Sequence, residues 1–215
     1  MKTVSLKDID IKQKVWNIIG KVESGKSFLT SNIIKELEIP EEFVVYINDF
    51  EKEKEYLSNL SNYQLNKLNH NYSELRTPSE YVVVFRTDSK FEYDNLFRFL
   101  IINSRHIHFT IIIESQYPIN FPSYIRCNIH YYVITKGYVS KEITSDIGKY
   151  VSVQNFDNYY KELKESNYLF VNNTKHETER ISSLTLPDSH LENKKNVSSN
   201  YSVKNLIKHF ESSSN

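Results

Sequence analysis

Two of the chain's four glycines fall within one stretch of eight residues, Gly20-Lys21-Val22-Glu23-Ser24-Gly25-Lys26-Ser27. The rest of the chain has only two more glycines, and no alanine occurs anywhere. Glycine therefore marks positions where backbone geometry demands it. Immediately before the stretch, residues 15 to 19, Val-Trp-Asn-Ile-Ile, read as a short buried strand, and after it Phe28, Leu29, Ile33, Ile34 and Leu37 recur at helical spacing. Strand, glycine loop and helix are the context in which Gly-x4-Gly-Lys-Ser forms a phosphate-binding loop. Such a loop turns its backbone amides inward beside a helix N-terminus whose dipole favours negative charge. The pattern predicts that Gly20, Glu23, Ser24, Gly25, Lys26, Ser27 and Phe28 form the nucleotide-binding segment. Lys26 is expected to reach the β- and γ-phosphates of ATP, and the Ser27 hydroxyl to be a ligand of the accompanying Mg2+.

Length and charge narrow the partners. The 215 residues suit one substantial α/β domain with a short appendage. Lys and Arg number 27 against 27 Asp and Glu, so no overall basic field announces nucleic acid, and contact with DNA must come from a local patch. The single cysteine, Cys127, excludes an intramolecular disulfide and a cysteine-based zinc cage, which suits a reducing compartment. No run approaches the roughly 18 apolar residues of a membrane-spanning helix, and residues 1–8 lack an apolar signal core, so a soluble intracellular protein with no membrane partner is expected. On that expectation the Asn-x-Ser/Thr triplets, such as Asn71-Tyr72-Ser73, carry no weight as glycosylation sites.

Further apolar runs follow at Phe43 to Ile47, Tyr81 to Phe85, His108 to Ile113 and Ile129 to Ile134, with a helix expected from about Phe91 to Asn103. Residues 50 to 79 read as polar and partly helical. Fully apolar strands separated by helices imply a mostly parallel central sheet flanked by helices, an α/β fold. The sheet is expected to end near residue 134, with a helix around Asn158 to Ser166 and a short apolar run from Tyr168 to Val171 beyond it. The division expected is a P-loop domain over residues 1–172 and a polar, partly flexible C-terminal tail over 173–215. Val203, Leu206, Ile207 and Phe210 are spaced for a short terminal helix in that tail.

Two strings resemble a known family. One is Trp16 to Leu29, with the loop Gly20-Lys21-Val22-Glu23-Ser24-Gly25-Lys26-Ser27 at its centre. The other is Asn103-Ser104-Arg105-His106 running through the apolar strand to Glu114-Ser115-Gln116-Tyr117-Pro118, and on through Phe121-Pro122-Ser123-Tyr124-Ile125-Arg126-Cys127-Asn128. Over roughly residues 14 to 172 the chain resembles the genome-packaging ATPases of poxviruses and other large cytoplasmic DNA viruses, a branch of the FtsK–HerA group of P-loop NTPases. The resemblance implies a RecA-like sheet in which the strand at 108–113 lies between the P-loop strand and the strand at 81–85. It implies that Gln116 stands beside the γ-phosphate, and that Arg126 contacts phosphate, including that of a neighbouring subunit in a homo-oligomeric ring. Arg105 and His106 are expected to cap the preceding helix instead. His108 has no further ligands at metal spacing.

One departure separates binding from turnover. A hydrolysing member of this family ends the strand at 81–85 with two acids, whereas here Arg86-Thr87-Asp88 follows. Asp88 is the residue expected to substitute, and Glu114 on the adjacent strand is a further carboxylate within reach. The resemblance thus implies a viral packaging motor coupling ATP hydrolysis to translocation of double-stranded DNA, without base preference, into a capsid, working in the host cytoplasm at the viral factory or in the virion with a capsid or packaging partner. The alternative is a hydrolysis-deficient paralogue that binds nucleotide and supports an active motor. A small-molecule kinase fits less well, because no arginine-rich lid or acceptor-binding insertion is visible.

Overall fold

The structure, a computed structural model, describes residues 1–70, 80–87, 94–138, 140–163, 168–175 and 180–186. Asp88, the segment Phe91 to Tyr93 and the terminal stretch containing Val203 to Phe210 lie outside the described residues.

Eight strands form one sheet in the order β1-β8-β7-β6-β2-β5-β4-β3. They are β1 (Lys2–Ser5), β2 (Val15–Ile19), β3 (Val44–Ile47), β4 (Tyr81–Thr87), β5 (Phe109–Ser115), β6 (Tyr131–Ile134), β7 (Tyr168–Asn172) and β8 (Ile181–Thr185). The run β6-β2-β5-β4-β3 is parallel throughout. β7 runs antiparallel to both β6 and β8, and β1 is parallel to β8. The α/β class with a mostly parallel sheet is therefore the observed one, and β5 lies between β2 and β4 as the resemblance implies.

The sheet does not end at Ile134. β7, β8 and β1 extend it, and β8 falls inside the stretch assigned from sequence to the tail. β1 and β8 are short, and the serines and threonines of β8 alternate with few apolar residues, so neither gives a clear periodic signal.

Helices cover both faces, as parallel strands buried on two sides require. α1 (Lys26–Leu37) lays Leu29, Ile33 and Leu37 against Trp16, Ile18, Val82, Val84, Ile112 and Val133 on one face. On the opposite face, Val15, Ile19, Val83, Phe85, Ile111 and Ile113 meet α2 (Phe50–His70), α3 (Asn95–Asn103), α4 (Ser123–Arg126), α5 (Lys141–Tyr150) and α6 (Phe156–Glu162). The alternation of side chains along each strand decides which core a residue joins. α3 starts where the Asp94 side chain accepts from the Phe97 amide at 3.0 Å, an N-cap that closes one orphan donor of the first turn. No helix among the described residues is long and apolar enough to cross a membrane.

Candidate functional site: a phosphate loop facing a buried carboxylate

β2 delivers the chain to the edge where β4 and β5 also end, and the Gly20 amide donates to the Ser115 carbonyl of β5 at 3.0 Å. Two glycines then shape the turn for different reasons. At Gly20 a Cβ would stand 1.9 Å from Thr135 Oγ1 and 2.4 Å from Ser24 Oγ, so the position is closed by contact. Gly25 has φ +89°, a left-handed conformation that side chains resist, and it stands at the N-cap of α1. Thr135 Oγ1 donates to Ser24 Oγ at 2.7 Å and ties the loop to the end of β6. The first amides of α1 have no preceding turn to bond to, which leaves them directed at the space before the helix.

Lys26 folds back into this turn. Its Nζ donates to the Gly20 and Lys21 carbonyls, each at 2.7 Å. Burial lowers its pKa from the ordinary lysine value, and the Glu114 carboxylate opposes that shift. A half-buried ammonium held only by carbonyls is poised for an anion that completes its shell.

A cleft of about 770 Å3 opens beside the loop. Val22, Glu23, Lys26 and Ser27 form one wall, Asn48, Asp49 and Glu51 another, and the ends of β4 and β5 supply Arg86, Thr87, Glu114 and Gln116. On the cleft's floor Ser27 Oγ donates to Glu114 Oε2 at 3.1 Å. Arg86 Nε stands 3.7 Å from the same oxygen, because β4 and β5 place the two residues in register. The Arg86 guanidinium also lies 4.7 Å over the Tyr46 ring. Glu114 is only 4% exposed, and its Oε1 has no hydrogen-bond partner among the described residues.

Of the residues expected from sequence, Glu23, Lys26, Ser27 and Gln116 line the cleft, while Gly20, Ser24 and Gly25 build the loop behind it. Gln116 is exposed, and its backbone carbonyl accepts from the Tyr138 hydroxyl. Phe28 is not part of the lining. Arg126 is not brought to the cleft either: it ends α4, with its guanidinium 5.7 Å from the Tyr150 ring. Arg105, expected to cap a helix, follows the C-terminal end of α3 and has its Nη2 3.0 Å from His130 Nε2. The residues that sequence reasoning did not commit to are Arg86 and Glu114 as a pair, and Asn48 and Asp49 at the end of β3. The acid-poor end of β4 is the signal that points to Glu114.

Among the described residues no group of three or more His, Cys, Asp or Glu side chains could by itself hold a metal ion. The donor set fits Mg2+ in another way. Ser27 and Glu114 offer hard oxygens side by side, one of them a buried carboxylate oxygen left unpartnered, and Mg2+ bound with a nucleotide takes only one or two protein oxygens.

The fold is shared with the viral genome-packaging NTPase B204. The B204 of Sulfolobus turreted icosahedral virus, described as a DNA-packaging ATPase, matches with a TM-score of 0.57 at 13% identity, over 80% of this chain and 97% of that one. B204 of Sulfolobus turreted icosahedral virus 2 in complex with ATP-gammaS matches with a TM-score of 0.55 at 12% identity, over 80% and 96% of the two chains. EssC from Geobacillus thermodenitrificans, represented by its ATPases 2 and 3, matches with a TM-score of 0.50 at 9% identity, over 80% of this chain and 39% of that one. No family model and no curated protein matches the sequence.

Proposed function

We propose that this chain is the ATP-binding subunit of a viral genome-packaging motor, of the poxvirus and large-DNA-virus type within the FtsK–HerA group. The observation that carries the reading is the Lys26 ammonium, held at 2.7 Å from two loop carbonyls inside a glycine-shaped turn at the mouth of the cleft. The likeness of fold to B204, a DNA-packaging ATPase crystallised with ATP-gammaS and AMPPCP, supports it. On this reading the loop amides and Lys26 bind the triphosphate, and Ser27 takes the Mg2+, which neutralises phosphate charge when bound. Gln116, at the tip of β5, orients the attacking water, and Asp88, which follows β4 in the chain, is the catalytic carboxylate that polarises that water. Arg126, which faces away from its own cleft, serves the nucleotide of the next subunit in a homo-oligomeric ring. Double-stranded DNA without sequence preference is the translocated partner, a capsid or packaging protein the docking partner, and the viral factory in the host cytoplasm or the virion the place of work. The P-loop domain is taken over residues 1–172, with 173–215 as the appended segment even though β8 reaches back into the sheet.

A second reading is favoured by Arg86. A cation paired with Glu114 where a hydrolysing relative carries an acid suits a paralogue that binds nucleotide without turning it over. Phosphate release by the purified chain, with and without Mg2+ and linear double-stranded DNA, separates the two. The motor gives DNA-stimulated turnover that Lys26→Ala abolishes. Binding without turnover selects the paralogue, and turnover that survives Lys26→Ala contradicts the phosphate site.

A further inference from the structure

The geometry points to Glu114, on β5, as the carboxylate of the Mg2+ site, in place of an acid at the end of β4, with Arg86 as the competing cation for that carboxylate. The inference rests on the nucleotide-binding reading above and adds which residue completes its metal site.

Three observations carry it. Ser27, the residue that follows the loop lysine, already donates a 3.1 Å hydrogen bond to Glu114 Oε2, so the hydroxyl and the carboxylate are near enough to serve one cation together. Glu114 is 4% exposed, and its second oxygen makes no hydrogen bond among the described residues. A carboxylate buried in that state costs stability unless something binds it. The ion pair with Arg86 leaves the pairing unfinished: Arg86 Nε is 3.7 Å away, beyond hydrogen-bond length, and is itself unpartnered among the described residues.

A structural ion pair accounts poorly for this arrangement. Buried pairs stabilise only when their remaining donors and acceptors are satisfied, and here one atom on each side is not. A divalent cation would satisfy the acceptor side: Glu114 and the Ser27 hydroxyl would hold it, and Arg86 would be released to the partly exposed position it already occupies, 4.7 Å from the Tyr46 ring. Metal and guanidinium then compete for one carboxylate. Strand register lets β5 supply the acid: Arg86 and Glu114 are direct neighbours across β4 and β5, so the Glu114 carboxylate stands one strand away from the end of β4.

The test uses the full chain, with AMPPCP as a triphosphate that is not hydrolysed and Mn2+ as the metal. AMPPCP affinity is measured calorimetrically in Mn2+ and in EDTA, and the ratio of the two reports metal binding at the site. Glu114→Gln keeps the side-chain shape and removes the charge. It is expected to lower the ratio about ten-fold or more, while metal-free affinity holds or rises because a carboxylate near the phosphates is gone. Arg86→Gln removes the competitor and is expected to raise the ratio, which keeps the test decisive if Glu114→Gln folds poorly. An unchanged ratio in Glu114→Gln, a lower ratio in Arg86→Gln, or a loss produced by Asp88→Asn alone overturns the assignment. If the wild-type chain binds no AMPPCP even in EDTA, the phosphate-site reading fails first and takes this inference with it.

Discussion

Ser27 and Glu114 lie 87 positions apart in the chain, and their side chains meet in a 3.1 Å hydrogen bond on the floor of the cleft. One belongs to the first turn of α1 and the other to the end of β5. Their meeting depends on β5 being inserted beside β2, the order that also sets the Gly20 amide on the Ser115 carbonyl. A site assembled this way is sensitive to the packing that holds the loop, the strands and α1 together.

The loop is the first place to test. In Gly20→Ala the new methyl would stand 1.9 Å from Thr135 Oγ1, so loop or strand must move. Overpacking of this kind costs about 1–3 kcal/mol. Urea unfolding should show that loss, and the double variant Gly20→Ala/Thr135→Ala should recover part of it. A Gly20→Ala chain as stable as the wild type would contradict the closeness of loop and β6.

Ile33 tests how α1 is anchored. It is fully buried against the face that includes Trp16, Val84 and Ile112. Ile33→Ala should lower stability by about 2–5 kcal/mol through lost transfer energy and a residual cavity. Thermal or urea unfolding measures this, and a loss below about 0.5 kcal/mol would mean that α1 does not pack there.

Acid should act through His130. Burial, followed by the charges of Arg105 and Lys14, pushes its pKa down to about 4 from the ordinary 6.5, while Asp10 pulls weakly the other way. Its Nδ1 accepts from the Val15 amide at 3.1 Å, a bond that needs the neutral ring. The unfolded chain therefore takes up a proton before the folded one, and this contribution to stability is lost as pH falls from 6.5 towards 4. His130→Asn, which keeps an acceptor and does not titrate, should show a shallower fall in Tm over that window. Equal slopes for the two chains would rule out the buried neutral histidine.

The parts of this molecule legible in its sequence are those where chemistry restricts the residue. Glycine scarcity isolates Gly20 and Gly25, and their reasons appear in the fold as a closed contact and a left-handed φ. The apolar runs that became β2, β4 and β5 are buried on both faces and leave an unbroken signal. β8, with Ser182, Ser183 and Thr185, leaves none, because it owes its place to neighbours rather than to its own pattern. The Arg86 and Glu114 pair depends on the register between two strands, which no single segment encodes. Arg126 depends on more than its own string: within this chain its guanidinium stands 5.7 Å from the Tyr150 ring, away from the cleft, and the phosphate contact that the family resemblance implies would have to come from a neighbouring subunit.

The central claim is that the turn from Gly20 to Ser27 binds a polyphosphate through Lys26. Calorimetric titration of ATP-gammaS into the wild-type chain and into Lys26→Ala tests it most directly. Lys26→Ala removes a charged donor from a half-buried site, a change that costs about 2–5 kcal/mol of binding, or roughly 30-fold and more in Kd. The account predicts saturable one-site binding by the wild type and a loss of that size in a variant that still folds. Equal affinity in the two chains, or no binding by either, would contradict it.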